Sequence, residues 1–192
     1  MTQLENTIRK TAAIKGLILG LILLAMSIIF YYMLISGIMV GTTIIIASLF
    51  FSFIIPIGIA LLFGFNLRKS IGGYWTFRQA TTGMFIMFAI CYVMQVVGKD
   101  VVFARLVEPD MVKKTQAAMM DASTVMWKKS GAKQADIDQK KADIQKEFND
   151  QSNITVGGII QSYVITLIFL FLFALIFAAM LKKNPPEYSS VQ

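Results

Sequence analysis

The stretch GGIIQSYVITLIFLFLFALIFAAML, residues 157–181, is the longest of four apolar runs in the chain and contains no charged residue. A helix rises about 1.5 Å per residue, so about 20 residues match a hydrocarbon layer roughly 30 Å thick. The other three runs are also uncharged and of similar length: Gly16–Ile35, Thr43–Phe65 and Ala80–Val97. The sequence therefore predicts an all-α membrane protein with four transmembrane helices.

Composition limits both the domain organisation and the chemistry. The four runs occupy much of the 192 residues, of which 56% are hydrophobic, so we expect a single four-helix membrane domain over 1–192. The chain has no histidine, and its one cysteine, Cys91, lies within an apolar run. An intrachain disulfide, a zinc site and histidine-based acid–base catalysis are therefore not expected. We predict no catalytic residues, no metal and no cofactor.

The distribution of basic residues predicts the orientation of the chain. Eight basic residues lie in the two termini and in the loop between helices two and three, opposed by only two acidic residues. The turn between helices one and two is uncharged, whereas the segment after helix three has ten basic and nine acidic residues. Giving most weight to the first hairpin, we expect both termini in the cytoplasm and residues 108–153 in the periplasm or outside the cell.

Small residues recur every four positions along helix two and predict a packing seam. They are Ser48, Ser52, Pro56, Ala60 and Gly64. Small side chains let helix backbones approach closely within lipid. Because Gly16 and Gly20 of helix one lie at a similar depth to Ala60 and Gly64, we expect helices one and two to touch there. Pro56 lacks a backbone N–H, which predicts a kink near Ser52–Pro56.

A short basic loop precedes helix three. Tyr74 and Trp75 are predicted to anchor the helix end at the head groups, and Thr76 with Gln79 has the spacing of a capping box. The run Gly73-Tyr74-Trp75-Thr76-Phe77-Arg78-Gln79-Ala80, following a basic turn, resembles domain-of-unknown-function family 4199. This resemblance covers nearly the whole chain. It implies a small bacterial four-helix integral membrane protein and no catalytic residue.

Polar residues within the apolar runs are few and neutral. Gln95 in helix three and Gln161 and Thr166 in helix four are the main candidates. Interhelical hydrogen bonds hold membrane helices together, so we expect Gln95 to pair with Gln161 or Thr166. A transporter usually places ionisable groups inside the membrane, which none of these three residues provides.

The segment after helix three predicts a helical hairpin outside the membrane. Glu108-Pro109-Asp110 should interrupt helix three, and Met111 to Lys129 has roughly helical apolar spacing. Ser130-Gly131 marks a break, and a polar helix follows from about Gln134 to Phe148. The Met-rich face, which includes Met119, Met126 and Trp127, has three alternative roles: lying on the bilayer, packing against the second helix, or receiving a partner protein.

These observations favour a non-catalytic membrane protein of the bacterial inner membrane, acting as an accessory or structural subunit of an envelope assembly. Its expected partners are the lipid bilayer and either a membrane protein or further copies of the chain. The nearly balanced charges of the hairpin argue against nucleic-acid binding. The alternative is a small oligomeric transporter or channel, since four helices enclose little volume in a monomer.

Overall fold

The computed structural model describes residues 3–39, 41–152 and 156–184, and within these ranges the chain forms six consecutive helices. They are α1 (Gln3–Ile35), α2 (Thr42–Ser70), α3 (Phe77–Val107), α4 (Met111–Lys129), α5 (Gln134–Ser152) and α6 (Val156–Leu181). Helices α1, α2, α3 and α6 are long and apolar enough to cross a membrane. This confirms the predicted fold class, with the hairpin α4–α5 between the third and fourth spans.

Local sequence signals fix the helix ends closely. Helix α3 begins at Phe77 after the predicted capping box, in which the Gln79 N–H donates to Thr76 Oγ1 over 3.3 Å. The Thr76 N–H donates to Gln79 Oε1 over 2.9 Å in return. Helix α4 ends at Lys129, and Gly131 has a φ of 77°, a left-handed conformation that glycine adopts without a steric penalty. The predicted hairpin end at Asn153 lies outside the described residues.

Helix α2 contains a π-helical segment, Phe50–Ile54, immediately before Ile55 and Pro56. Its wider turn is shown by the Ile55 N–H, which donates to the carbonyl oxygen of Phe50 five residues back. Pro56 has no N–H to offer to the carbonyl of Ser52, so the α-helical ladder cannot continue unchanged at this point. Where a kink was predicted near Ser52–Pro56, the structure has a π-helical turn.

Helix α3 changes to π-helical geometry over its last part, Val96–Val107. The Glu108 N–H closes this segment by donating to the Phe103 carbonyl over 2.8 Å. Phe103 is buried there, and its ring lies edge-on to that of Tyr31 in α1 at 5.5 Å between centroids. Gly98 directly faces Leu24, whose side chain occupies the space that a Cβ would need.

Contacts within the structure group into two compact units. Unit one contains the described residues of 1–23, 56–96 and 166–184, and unit two contains those of 24–55 and 97–165. The core of unit one is built from buried side chains of α1, α2, α3 and α6, including Leu19, Leu67, Met84 and Phe177. Phe88 and Phe177 pack edge to face at 5.2 Å between ring centroids.

The loop before α3 is joined to the end of α6 within unit one. Trp75 Nε1 donates to the Leu181 carbonyl over 2.8 Å, and Arg68 donates to the same oxygen over 3.2 Å. The backbones of Trp75 and Lys183 also exchange two hydrogen bonds, of 2.9 and 3.2 Å. These groups satisfy carbonyls that the helix end leaves without intrahelical partners. We call this arrangement the Trp75 clasp.

The core of unit two joins the α1–α2 turn to α4. Its buried residues are Leu34, Met39, Ile44 and Ala122. Ala118 of α4 and Ala47 of α2 pack against this cluster. Because alanine side chains are short, α4 lies close to the turn, and one face of α4 is thereby fixed.

Candidate functional site

The surface of the α4–α5 hairpin in unit two is the candidate site for recognition. The buried contact of Ala122 with the α1–α2 turn positions α4, the first helix of this hairpin. Gly41 in that turn has a φ of 59°, and a Cβ built on it would lie 3.0 Å from Val125 Cγ1. A larger residue at Gly41 would therefore be strained and would press on α4. The absence of a side chain at Gly41 therefore allows α4 to pack closely against the turn.

Charged groups hold the first turn of α4. Lys114 Nζ lies 2.6 Å from Glu108 Oε1, and Lys113 Nζ lies 3.4 Å from Asp110 Oδ1. The hydrogen bond that the Lys114 ammonium group donates to the Glu108 carboxylate raises the pKa of Lys114. The side chain of Glu108 is mostly buried, with 17% exposed, whereas Lys114 is about half exposed. This pair links the end of α3 to α4.

Helix α5 packs on another side of α4. Gln116 Nε2 donates to Gln145 Oε1 over 3.0 Å, and Ile137 of α5 is buried. The ammonium group of Lys140 lies over the Trp127 ring at 5.4 Å from its centroid, a cation–π contact. The Trp127 ring therefore contributes to packing inside the hairpin, which is one of the three roles predicted for the Met-rich face.

A groove of about 450 Å³ runs between the α1–α2 turn and α4. Its walls are mostly apolar and include Leu34, Met39 and Val125. Lys114 and Asp121 supply the charged groups at its edge. Its volume lies within the usual range of small-molecule pockets.

Two apolar residues of α4 remain outside these contacts. Val112 is 62% exposed and Met119 is 38% exposed, and they lie seven residues apart on one helix face. Met126, seven residues further along, is half-buried, as is Trp127. Of the predicted partner surface, Met119 is therefore the most accessible residue, and Val112 is an addition that the methionine pattern did not indicate.

The predicted intramembrane polar pair takes a different form. Gln95 Nε2 donates to the carbonyl oxygen of Gly20 in α1 over 3.0 Å, and not to Gln161 or Thr166. Gln161 is exposed, and Thr166 is half-buried. Because glycine has no side chain, the Gly20 carbonyl is open to a donor from a neighbouring helix. Gln95 thus joins α3 to α1 within unit one.

The small residues of α1 face α3 in the same way. A Cβ on Gly16 would lie 2.6 Å from the Met87 carbonyl oxygen, and one on Gly20 would lie 2.7 Å from Met94 Cβ. The nearest neighbours of both glycines are thus on α3, which corrects the expected contact with Ala60 and Gly64. Small residues mark a close approach but carry no information about which helix approaches.

The small residues of the α2 stripe differ in burial. In unit one, Ala60 and Gly64 are buried, and a Cβ on Gly64 would meet Leu181 and Met84. In unit two, Ser48 is half-buried and Ser52 is exposed, so Ser52 is not buried by another helix of this chain. Ser52 lies inside the π-helical segment, where the turn contains more residues and the α-helical period no longer applies.

The two aromatic residues before α3 have separate environments. Trp75 is only 1% exposed and is held by the Trp75 clasp, so its ring is packed inside unit one, whereas the predicted interface anchor requires an exposed ring. Tyr74 is exposed, and the ammonium group of Lys183 lies 5.1 Å from its ring centroid. A tryptophan in a basic loop is typical of an interface anchor, and sequence alone gave no sign of its distant carbonyl acceptor.

Among the residues that the structure describes, no group of three or more His, Cys, Asp or Glu side chains is placed to hold a metal ion. Comparison with known proteins gives one finding. A family model described as "Protein of unknown function (DUF4199)" matches residues 15–183, as the resemblance of the segment from Gly73 to Ala80 predicted. No curated protein and no solved structure matches the chain.

Proposed function

This chain belongs to the DUF4199 family of proteins of unknown function, and from that premise we propose that it is a non-catalytic accessory or structural subunit of a bacterial envelope assembly. Its four long apolar helices are typical of a multi-pass membrane protein. In this proposal the inner membrane holds the chain, both termini face the cytoplasm, and the α4–α5 hairpin faces outward. The hairpin surface around Val112 and Met119 contacts a membrane-protein partner or a further copy of the chain.

One observation carries this proposal: α4 is held on two sides while a third face stays apolar and exposed. Ala122 packs on the α1–α2 turn, and Gln116 is bonded to Gln145 of α5. Val112 and Met119 lie outside both contacts. A fixed helix with an exposed apolar stripe is suited to binding a protein, because little conformational freedom is lost on association. Methionine also adapts its shape to a partner surface.

The test is site-specific photocrosslinking in intact membranes. A photoreactive amino acid replaces Met119 in one variant and Lys113 in the control variant, because both residues are exposed and belong to α4. We expect a discrete protein adduct from position 119 and none from position 113. Adducts with lipid alone at position 119, or equal protein adducts at both positions, would contradict the proposed contact surface.

A second pair of variants separates recognition from folding. Met119→Asp places a charge on the proposed surface, whereas Lys128→Asp changes the charge elsewhere on the same helix. Because both positions are exposed, both variants should insert and fold. We expect Met119→Asp alone to remove the crosslink formed from a photoreactive residue at Val112.

The alternative role, a small oligomeric transporter or channel, is distinguished through Gln95. Its hydrogen bond to Gly20 supports a structural role in joining α1 and α3. If purified protein in liposomes showed a substrate flux that Gln95→Leu abolished without changing the folded fraction, transport would replace the accessory role.

A further inference from the structure

A cavity of about 270 Å³ lies between the first turns of α1 and α3 in unit one. Its lining consists of Glu5, Ile8, Arg9, Arg78, Gln79 and Thr82. The volume is slightly below the usual range for drug-sized ligands, so it suits a small polar group. We propose that this cavity binds the phosphate of an anionic membrane-lipid head group.

The charge of the lining supports an anionic ligand. Two basic residues, Arg9 and Arg78, line the cavity with one acidic residue, Glu5. Among the described residues, no carboxylate lies within 4.0 Å of either guanidinium. Arginine presents several N–H donors in a planar fork that matches phosphate oxygens. Both arginines are therefore free to bind one phosphate together.

The packing beneath the cavity fixes the backbone positions of the two arginines. Ile8 is buried, and its Cγ2 lies 3.3 Å from the position of a Cβ built on Gly83 of α3. The capping box of Thr76 and Gln79 sets the start of α3 and hence the backbone position of Arg78. A site whose backbone is already in place loses little entropy on binding.

The location favours a lipid over a soluble phosphate. Arg78 precedes the uncharged run that begins at Ala80 by two residues, and Arg9 precedes the run at Gly16 by seven. At about 1.5 Å per residue, these positions are about 3 Å and 10 Å from the start of the apolar segments. Lipid phosphates lie in this layer next to the hydrocarbon.

The experiment is a native mass-spectrometry titration of the full chain in neutral detergent. The probes are phosphatidic acid, phosphatidylcholine with the same acyl chains, and inorganic phosphate alone. We expect phosphatidic acid to bind at least about tenfold more tightly than phosphatidylcholine, since charge-assisted hydrogen bonds are strong. Tight binding of inorganic phosphate would support the same cavity but assign it a soluble ligand. Equal binding of the two lipids would overturn the proposal.

Four variants test the cavity residue by residue. Arg9→Gln and Arg78→Gln should each weaken phosphatidic acid binding about tenfold or more. Lys10→Gln is the matched control, because Lys10 is the exposed neighbour of Arg9 outside the cavity, and it should change binding by less than about twofold. Glu5→Gln should tighten binding about twofold to fivefold by removing the opposing charge. A variant that merely misfolds cannot gain affinity, so weaker or unchanged binding in Glu5→Gln would refute the assignment, as would equal losses in Lys10→Gln and Arg9→Gln.

Discussion

Replacing Gly16 with alanine tests the close approach of α1 and α3 in unit one. A Cβ at this position would lie 2.6 Å from the Met87 carbonyl oxygen and 3.1 Å from Ile90 Cβ. Comfortable nonbonded contacts begin near about 3.5 Å, so the two backbones must separate by roughly 1 Å. The obstructing atom belongs to the backbone and cannot rotate away as a side chain could. Overpacking of this kind costs about 1–3 kcal/mol.

The single cysteine reports this separation directly. Cys91 is 7% exposed, and its Cα lies 3.3 Å from a Cβ built on Gly20, so it lies beside the α1–α3 contact. Residue 16 is helical in both the closed and the locally opened state, so the higher helix propensity of alanine does not change the free energy of opening. We expect Gly16→Ala to speed the labelling of Cys91 by a small neutral thiol reagent about 5- to 150-fold.

The matched control is Gly58→Ala in α2, where a Cβ would meet nothing within 4 Å. Its labelling rate should stay within about twofold of that of the original protein, since surface substitutions change stability little. An unchanged rate in Gly16→Ala would show that α1 and α3 do not pack at this distance. Equal acceleration in both variants would show that labelling reports general loosening.

Three further predictions concern single contacts. Thr76→Ala removes the capping box and should lower the free energy of unfolding in detergent by about 1 kcal/mol, with no loss for Thr81→Ala, whose hydroxyl bonds only to its own helix. In a Trp127→Phe variant, Trp75 should fluoresce at short wavelength because it is buried, and a red-shifted emission would contradict its burial. Adding Trp75→Phe should lower the free energy of unfolding by about 0.5–1.5 kcal/mol, because the hydrogen bond to Leu181 is lost. Glu108 raises the pKa of Lys114, so this pair stabilises the fold below pH 10.5, the ordinary lysine value, and the contribution is lost as pH rises through the higher folded pKa. NMR of ¹³C-methylated lysines should show this pKa falling in Glu108→Gln, and an unchanged pKa would rule out the contact.

The helices themselves were readable from sequence because membrane spans depend on length and apolarity. The break at Glu108-Pro109-Asp110, the turn at Gly131 and the capping box at Thr76 depend on local backbone chemistry, which neighbouring residues encode. For this reason the hairpin boundaries agree with prediction at Met111, Lys129 and Gln134. The second hairpin helix continues to Ser152, beyond the predicted end at Phe148.

Helix partners were less predictable, for two physical reasons. Close approach at Gly16 and Gly20 requires only small residues, and several helices satisfy that requirement. Gln95 donates to a backbone carbonyl, a group that every residue has, and not to the predicted polar side chains of Gln161 or Thr166. In α2, the π-helical turn also altered the period on which the stripe prediction for Ser52 depended.

The candidate surfaces could be predicted from sequence only in part. The methionine pattern predicts Met119, whereas the exposure of Val112 and the cavity at Arg9 and Arg78 depend on how the helices pack. The residues of this cavity are separated by about seventy positions in sequence. No local pattern connects them.

The Trp75 clasp also determines when unit one can finish assembling during synthesis. Its two ends are separated by 106 residues, so the indole of Trp75 and the guanidinium of Arg68 leave the ribosome long before Leu181 exists. At about 5–20 residues per second, synthesis of the intervening chain takes about 5 to 20 s. Throughout that interval the nascent protein carries two strong donors with no native acceptor. Insertion of the last helix is therefore the event that completes assembly of unit one, and a ribosome stalled before Leu181 should hold a chain whose Trp75 is still exposed to the insertion machinery.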